Sequence, residues 1–146
     1  MTPIPSSTGT VRSSTDATFD AGGTAVTFAF DAGTDADRFL KISVSWDGAS
    51  AHTVGDTAVT FNGVALTPFG AATSQVNARK RTFGLIAPAT GSHTVSVDPS
   101  TGLGSEDAII EVECFSGVDQ ATPYDNYTVG QGTDGSNPYT SAVTVP

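Results

Sequence analysis

The segment RFLKISVSW is the part of this sequence that most limits the possible fold. Four apolar residues, Leu40, Ile42, Val44 and Trp46, alternate in it with lysine and serine. A period of two is typical of a β-strand with one face on a core and the other in solvent. The same period recurs in TAVTFAF, HTVSV and AIIEVECFSG, and no window shows a sustained period of 3.6. The sequence therefore predicts a protein made of β-strands.

Turn signals divide the chain into short strands. Clusters of Gly, Pro, Asn and Asp recur about every eight to twelve residues. In VTFNGVAL, the pair Asn62-Gly63 predicts a hairpin, because a type I′ turn needs two residues with positive φ. We expect an all-β antiparallel β-sandwich, of jelly-roll or Ig-like topology. The single Cys114 lies beside Val112 and Phe115 and is predicted to be a small buried side chain.

The N-terminus differs in composition from the rest. Its Ser, Thr and Pro content in MTPIPSSTGTVRSSTD predicts an extended arm over residues 1–18, ahead of a sandwich domain over residues 19–146. We expect residues 1–15 to lie on a partner. The opening lacks the apolar stretch of a secretory signal, and no apolar run is long enough to span a membrane. We therefore expect a chain that folds in a cytoplasm and does not bind membranes.

Charge excludes one class of partner and suggests another. The chain has 6 Lys and Arg against 15 Asp and Glu, a formal charge of −9. Such a field repels phosphate backbones, so nucleic-acid binding is not expected. Arg79, Lys80 and Arg81 in ARKRTF place half of the basic residues together. They either protect a strand edge from pairing or form an interface for an acidic partner.

The sequence contains no recognisable catalytic group. His52 and His93 lack the spacing of a catalytic or zinc site, and Ser116 lacks the Gly-x-Ser-x-Gly turn of a nucleophile. We predict that the protein is not an enzyme and uses no cofactor.

A weak calcium candidate lies in DAGTDAD. Asp31, Asp35 and Asp37 supply the oxygen ligands that hard cations prefer, but their spacing does not fit an EF-hand. Aspartates in turns also bond their own backbone, which explains the same residues without a metal.

Two features mark the C-terminal part. The strand in ECFSGVDQATP is predicted to end at a corner, where Gly117 leaves sheet geometry and Pro123 prevents further pairing. Beyond it, Tyr124, Tyr127 and Tyr139 lie in a polar, Gly-rich segment. These rings could stack on sugars, anchor a protein interface or cover the end of the core.

Three strings carry a family resemblance: TFNGVALTPFG, LIAPATGSHTVSV and AIIEVECFSGVDQATPYD. Over residues 38–125 the chain resembles β-sandwich modules of bacterial and phage surface or virion proteins. The resemblance implies that the corner at 117–123 is a scaffold feature. Because similar modules continue with further strands, it also implies that the remaining strands of the sandwich either follow residue 146 or come from a neighbouring subunit. We therefore expect an oligomer.

Together, these features favour a phage virion structural protein. We expect a capsid decoration (cement) protein that binds the major capsid protein on the outer surface of the virion, as a homotrimer. The alternative is a carbohydrate-binding or adhesion module, from a tail fibre or a bacterial surface protein, with a glycan on its outward face.

Overall fold

The computed structural model of the chain describes residues 9–47, 52–69, 73–75, 78–102 and 104–123. These residues form ten strands and no helix, so the described part contains no helix that could cross a membrane. The strands are β1 (Gly9–Phe19), β2 (Val26–Asp31), β3 (Phe39–Trp46), β4 (Val59–Phe61), β5 (Val64–Ala65), β6 (Thr67–Pro68), β7 (Thr73–Gln75), β8 (Ala78–Ile86), β9 (Ser92–Val97) and β10 (Glu106–Ser116).

The strands form two antiparallel sheets that pack face to face. In sheet A the order is β1-β10-β3-β8-β6, and β7 also pairs with β8. In sheet B the order is β2-β9-β4-β5. The predicted antiparallel β-sandwich is therefore confirmed, and the alternating strands on which it was based are β2, β3, β9 and β10.

The order of pairing identifies the topology. The first strand pairs with the last, β2 pairs with β9, β3 with β8, and β4 with β5. The chain thus runs as one long antiparallel ribbon that is wrapped into two sheets. In an Ig-like sandwich the first two strands are neighbours in one sheet, whereas here β1, β2 and β3 alternate between the sheets. The arrangement is that of a jelly roll.

A single turn lies at the centre of this ribbon. Asn62 and Gly63 have φ of 51° and 75°, as the predicted type I′ hairpin requires. Gly9 pairs with Ser116 at the outer end of the ribbon, and the two are equally far from this turn in sequence. The pairs β3–β8 and β4–β5 have the same register, whereas β2–β9 is shifted, with Val26 opposite Val97.

The core lies between the two sheets and uses the predicted apolar positions. Leu40, Ile42 and Val44 are fully buried, and they face side chains such as Phe61 of sheet B. Cys114 is 3% exposed and belongs to this core, so its predicted burial is confirmed. Burial raises the pKa of the Cys114 thiol, which keeps it neutral and unreactive.

The segment that the sequence predicts to be an arm is extended, and from Gly9 onward it belongs to the sheet. All eleven residues of β1 pair with β10, ending at Phe19 opposite Glu106. Phe19 is fully buried, whereas Thr15 and Ala17 are only half-buried. Residues 1–8 lie outside the described residues. The nested pairing expected of a jelly roll is already present within residues 9–116, ahead of the segment where the resemblance implies missing strands.

Candidate functional site

The three neighbouring basic residues of β8 do not form one cationic surface. Arg79 donates from Nη1 to the carbonyl oxygen of His52 at 2.9 Å, and Arg81 donates to that of Val54 at 2.6 Å. Arg81 also pairs with a carboxylate, that of Asp56. Both arginines therefore hold the loop over residues 52–58 against sheet A. Their alternate positions on the strand explain why Lys80, between them, faces the other way.

The aspartates considered for calcium also have separate partners. Asp31 accepts a hydrogen bond from the backbone N–H of Gly33 at 2.9 Å, and Arg38 donates to the carbonyl oxygen of Asp35. Asp37 has a φ of 52°, the left-handed conformation that aspartate tolerates in turns. Within the described ranges, no three His, Cys, Asp or Glu side chains are grouped so that they could hold a metal ion.

The corner after β10 has the predicted structure and packs on this aspartate loop. Gly117 has a φ of 71°, and the next residue, Val118, donates its N–H to the carbonyl oxygen of Asp37 at 2.9 Å. Asp119 accepts the backbone N–H of Ala121 at 2.8 Å. That hydrogen bond is the main reason why the pKa of the Asp119 carboxyl is below its ordinary value. The corner is therefore explained by backbone geometry, without a ligand.

At the opposite end of the sandwich, a buried histidine joins three loops. The His52 ring is fully buried, and its Nε2 lies 2.7 Å from the carbonyl oxygen of Asp20. The ring also lies against Gly102, which has no side chain to displace it. Ser100 donates its N–H to the carbonyl oxygen of Thr53 at 2.8 Å. The loops over residues 20–25, 52–58 and 98–102 are thus connected around one ring, which we call the His52 cluster.

The two nitrogens of the His52 ring have different partners. A carbonyl oxygen only accepts, so Nε2 carries the hydrogen in the contact with Asp20. On the other side of the ring, Nδ1 lies 3.3 Å from Oε2 of Glu106, whose side chain is 5% exposed. A substrate cannot reach a fully buried ring, so the cluster's role is structural.

The contacts of His52 are the feature of the site that the sequence did not predict. It lies in a loop, far along the chain from Glu106, and its spacing fits no motif. Only the paired register of β1 and β10, which puts Phe19 opposite Glu106, brings the carboxyl to the loop that follows β1. The neighbouring Gly102 could have been a weak signal, because a glycine is required where backbone lies directly on another group.

The outer face of sheet A carries pairs of opposite charges. Lys41 pairs with Glu113, and Lys80 pairs with Glu111 at 3.6 Å. Between these ion pairs lie the hydroxyls of Ser43 and Thr82, which are buried and 3.3 Å apart. Ile109 is an exception: it is 48% exposed on this face. We call this surface the outer face.

Two shallow clefts lie where β1 and β10 meet the outer face. One has a volume of about 430 Å³ and is lined by Ser13, Ser14, Lys41, Glu111, Val112 and Glu113. The second, of about 480 Å³, is lined by residues 16–18 and 107–109.

One end of the outer face is covered by aromatic rings. Phe39 and Phe69 have their ring centroids 6.2 Å apart and pack over Gly84, where a Cβ atom would lie 2.7 Å from the Phe39 ring. Both rings are largely buried, whereas Ile86 beside them is 43% exposed. The rings act as an outer layer of the core and are not available as a sugar-stacking platform.

The remaining predicted interface residues, Tyr124, Tyr127 and Tyr139, lie outside the described residues. Comparison of the chain with protein families, with curated proteins and with solved structures finds no match. The class that the described structure defines is therefore an acidic jelly-roll sandwich, and its candidate interaction sites are the outer face and the β1 edge.

Proposed function

We propose that the chain is a structural protein of a phage virion, a capsid decoration protein that binds the outer capsid surface and stabilises the head. The observation that carries the proposal is the outer face. It is a strand surface with two ion pairs, and it ends in the long edge strand β1, where the hydroxyls of Ser14 and Thr18 are exposed. A surface of this kind suits an extended footprint on another protein better than it suits a small ligand. The acidic, disulfide-free sequence and its resemblance to virion modules also support this function.

The structure changes which residues would contact the capsid. Arg79 and Arg81 are engaged with the 52–58 loop, so an acidic capsid surface could not recruit them without breaking those contacts. Lys41 and Lys80 lie on the outer face, with side chains that are 34% and 47% exposed, and surface ion pairs exchange partners at little cost. Ile109 would supply the apolar contact at the centre of such a footprint.

A binding experiment with one matched control tests this proposal. Purified chain is mixed with heads, free of the chain, of the phage whose genome encodes it, and the mixture is sedimented through a density gradient. We expect the chain to sediment with the heads and to raise the temperature at which they release DNA. Ile109→Glu should abolish sedimentation, whereas Val64→Glu, which changes a residue 52% exposed on the β4–β5 hairpin, should not. The proposal fails if the wild-type chain stays at the top of the gradient.

A second candidate function, glycan binding, has one observation in its favour. The 430 Å³ cleft is lined by hydroxyl, ammonium and carboxylate groups, which are the groups that hydrogen-bond to sugars. A glycan array probed with the wild-type chain and with Lys41→Ala tests it. Binding that Lys41→Ala removes, together with no binding to heads, would favour the glycan module over the decoration protein.

A further inference from the structure

Strand β1 leaves one of its edges without a described partner. It pairs with β10 on one side through eleven consecutive residue pairs, and on the other side no described strand follows. Such an edge presents a row of free N–H and C=O groups that can pair with another chain. Other strands at the sheet margins are shorter: β5 and β6 have two residues each and β7 has three. The β1 sequence GTVRSSTDATF also lacks the proline and lysine that commonly block an edge.

The sequence of β1 is complementary to itself. Its central residue is Ser14, and an antiparallel copy turned about a two-fold axis through Ser14 would pair the full length of the strand. In this register the arginine at position 12 of each copy lies opposite Asp16 of the other copy, so the dimer contains this pair twice. Thr18 lies opposite position 10, also a threonine. Opposite charges across a strand pair are stabilising, and like charges are not.

We propose that two copies of this chain associate through β1 in this register, so that their A sheets merge into one continuous sheet. Neighbouring registers do not pair the charges: an axis at Ser13 places Asp16 opposite Thr10, and an axis at Thr15 places Asp16 opposite Ser14. The register through Ser14 also keeps the outer faces of the two copies on one side, because the axis is perpendicular to the sheet. The complementary charges of β1 therefore favour a second copy of this chain as the partner that pairs with its open edge.

This inference is independent of the proposed function and predicts a dimer, whereas the decoration protein expected from the sequence is a homotrimer. Light scattering of the purified chain should give the mass of two chains, twice 14.8 kDa. Ser14→Lys should reduce it to the mass of one chain, because residue 14 faces its own copy and two lysines repel. The control is Ser92→Lys, which places the same charge on an exposed residue of β9 and should leave the dimer intact.

A cross-link tests the register itself. Opposed residues in antiparallel strands have Cα atoms about 4.5–5.5 Å apart, within the range that a disulfide spans. Ser14→Cys should therefore form a covalent dimer under mild oxidation. Thr18→Cys should not, because the two copies of residue 18 would lie roughly 27 Å apart along the strands. A wild-type mass of one or three chains, or cross-linking of Thr18→Cys as efficient as that of Ser14→Cys, would overturn the proposal.

Discussion

Replacing Gly102 by alanine is the sharpest test of the His52 cluster. A Cβ atom at this position would overlap Cε1 and Nδ1 of the His52 ring and lie 2.6 Å from its Nε2. Ordinary contacts begin near 3.4 Å, so the ring or the loop would have to move by about 1 Å. The ring has little freedom to do so, because Nε2 bonds to Asp20 and Nδ1 faces Glu106.

The expected loss of stability follows from these contacts. Overpacking of a tight site costs about 1–3 kcal/mol. Loss of the hydrogen bond between His52 and Asp20 adds about 0.5–1.5 kcal/mol. We therefore expect Gly102→Ala to lower the free energy of unfolding by about 2–4 kcal/mol. The free energy of unfolding falls by about 2 kcal/mol for each molar of urea. The urea concentration at the midpoint of unfolding, measured by Trp46 fluorescence, should therefore fall by about 1–2 M.

Two further variants test whether contact with the His52 ring causes the loss of stability in Gly102→Ala. Gly104→Ala adds the same methyl group where nothing lies within 4 Å, so its effect should stay within about 0.5 kcal/mol. In a His52→Ala background the ring is gone, and adding Gly102→Ala should then cost almost nothing. Equal midpoints for the Gly102 and Gly104 variants, or an unchanged cost in the His52→Ala background, would refute the reasoning.

Three other substitutions test separate features of the fold. Gly84→Ala places a Cβ atom 2.7 Å from the Phe39 ring and should cost about 1–3 kcal/mol in urea unfolding, whereas Gly55→Ala, into open space, should not. Gly63→Ala places an alanine in a backbone conformation with a φ of 75°, which side chains disfavour. It should lower the free energy of unfolding by about 1 kcal/mol and slow refolding in stopped-flow experiments. The fold lowers the pKa of Asp119 below 3.8, so this carboxylate stabilises the protein above that pH and the contribution is lost in acid. The stability difference between wild type and Asp119→Ala should therefore shrink as the pH falls, and a constant difference would contradict the assignment.

The strands that could be predicted are those whose own side chains alternate. In β3 and β10 the apolar residues define a buried face without help from the rest of the chain, and the Asn62-Gly63 turn follows from backbone geometry alone. Strand β1 could not be recognised, because the polar Ser13 and Thr15 interrupt its inward positions and its order comes from pairing with β10. Local composition does not report a partner that lies about a hundred residues away.

The candidate site was harder to predict for a related reason. Neighbouring basic residues indicated a patch, but alternation along β8 sends Arg79 and Arg81 to the loop side of the sheet and Lys80 to the outer face. The outer face combines residues from β1, β3, β8 and β10, which only the jelly-roll order makes adjacent. A surface assembled from four separate strands has no signature in any single segment.

The ribbon centred on Asn62-Gly63 determines how the sandwich would respond to mechanical load. Gly9 and Ser116 are direct partners, so a force that pulls these two points apart acts across the β1–β10 ladder, in line with its hydrogen bonds. The bonds would then break one at a time, from the outer end inward, and the sheet would unzip at low force. A load applied parallel to β1 and β10 would instead shear the ladder and break many bonds together. The direction of attachment, more than the number of contacts, would decide how much force the sandwich withstands.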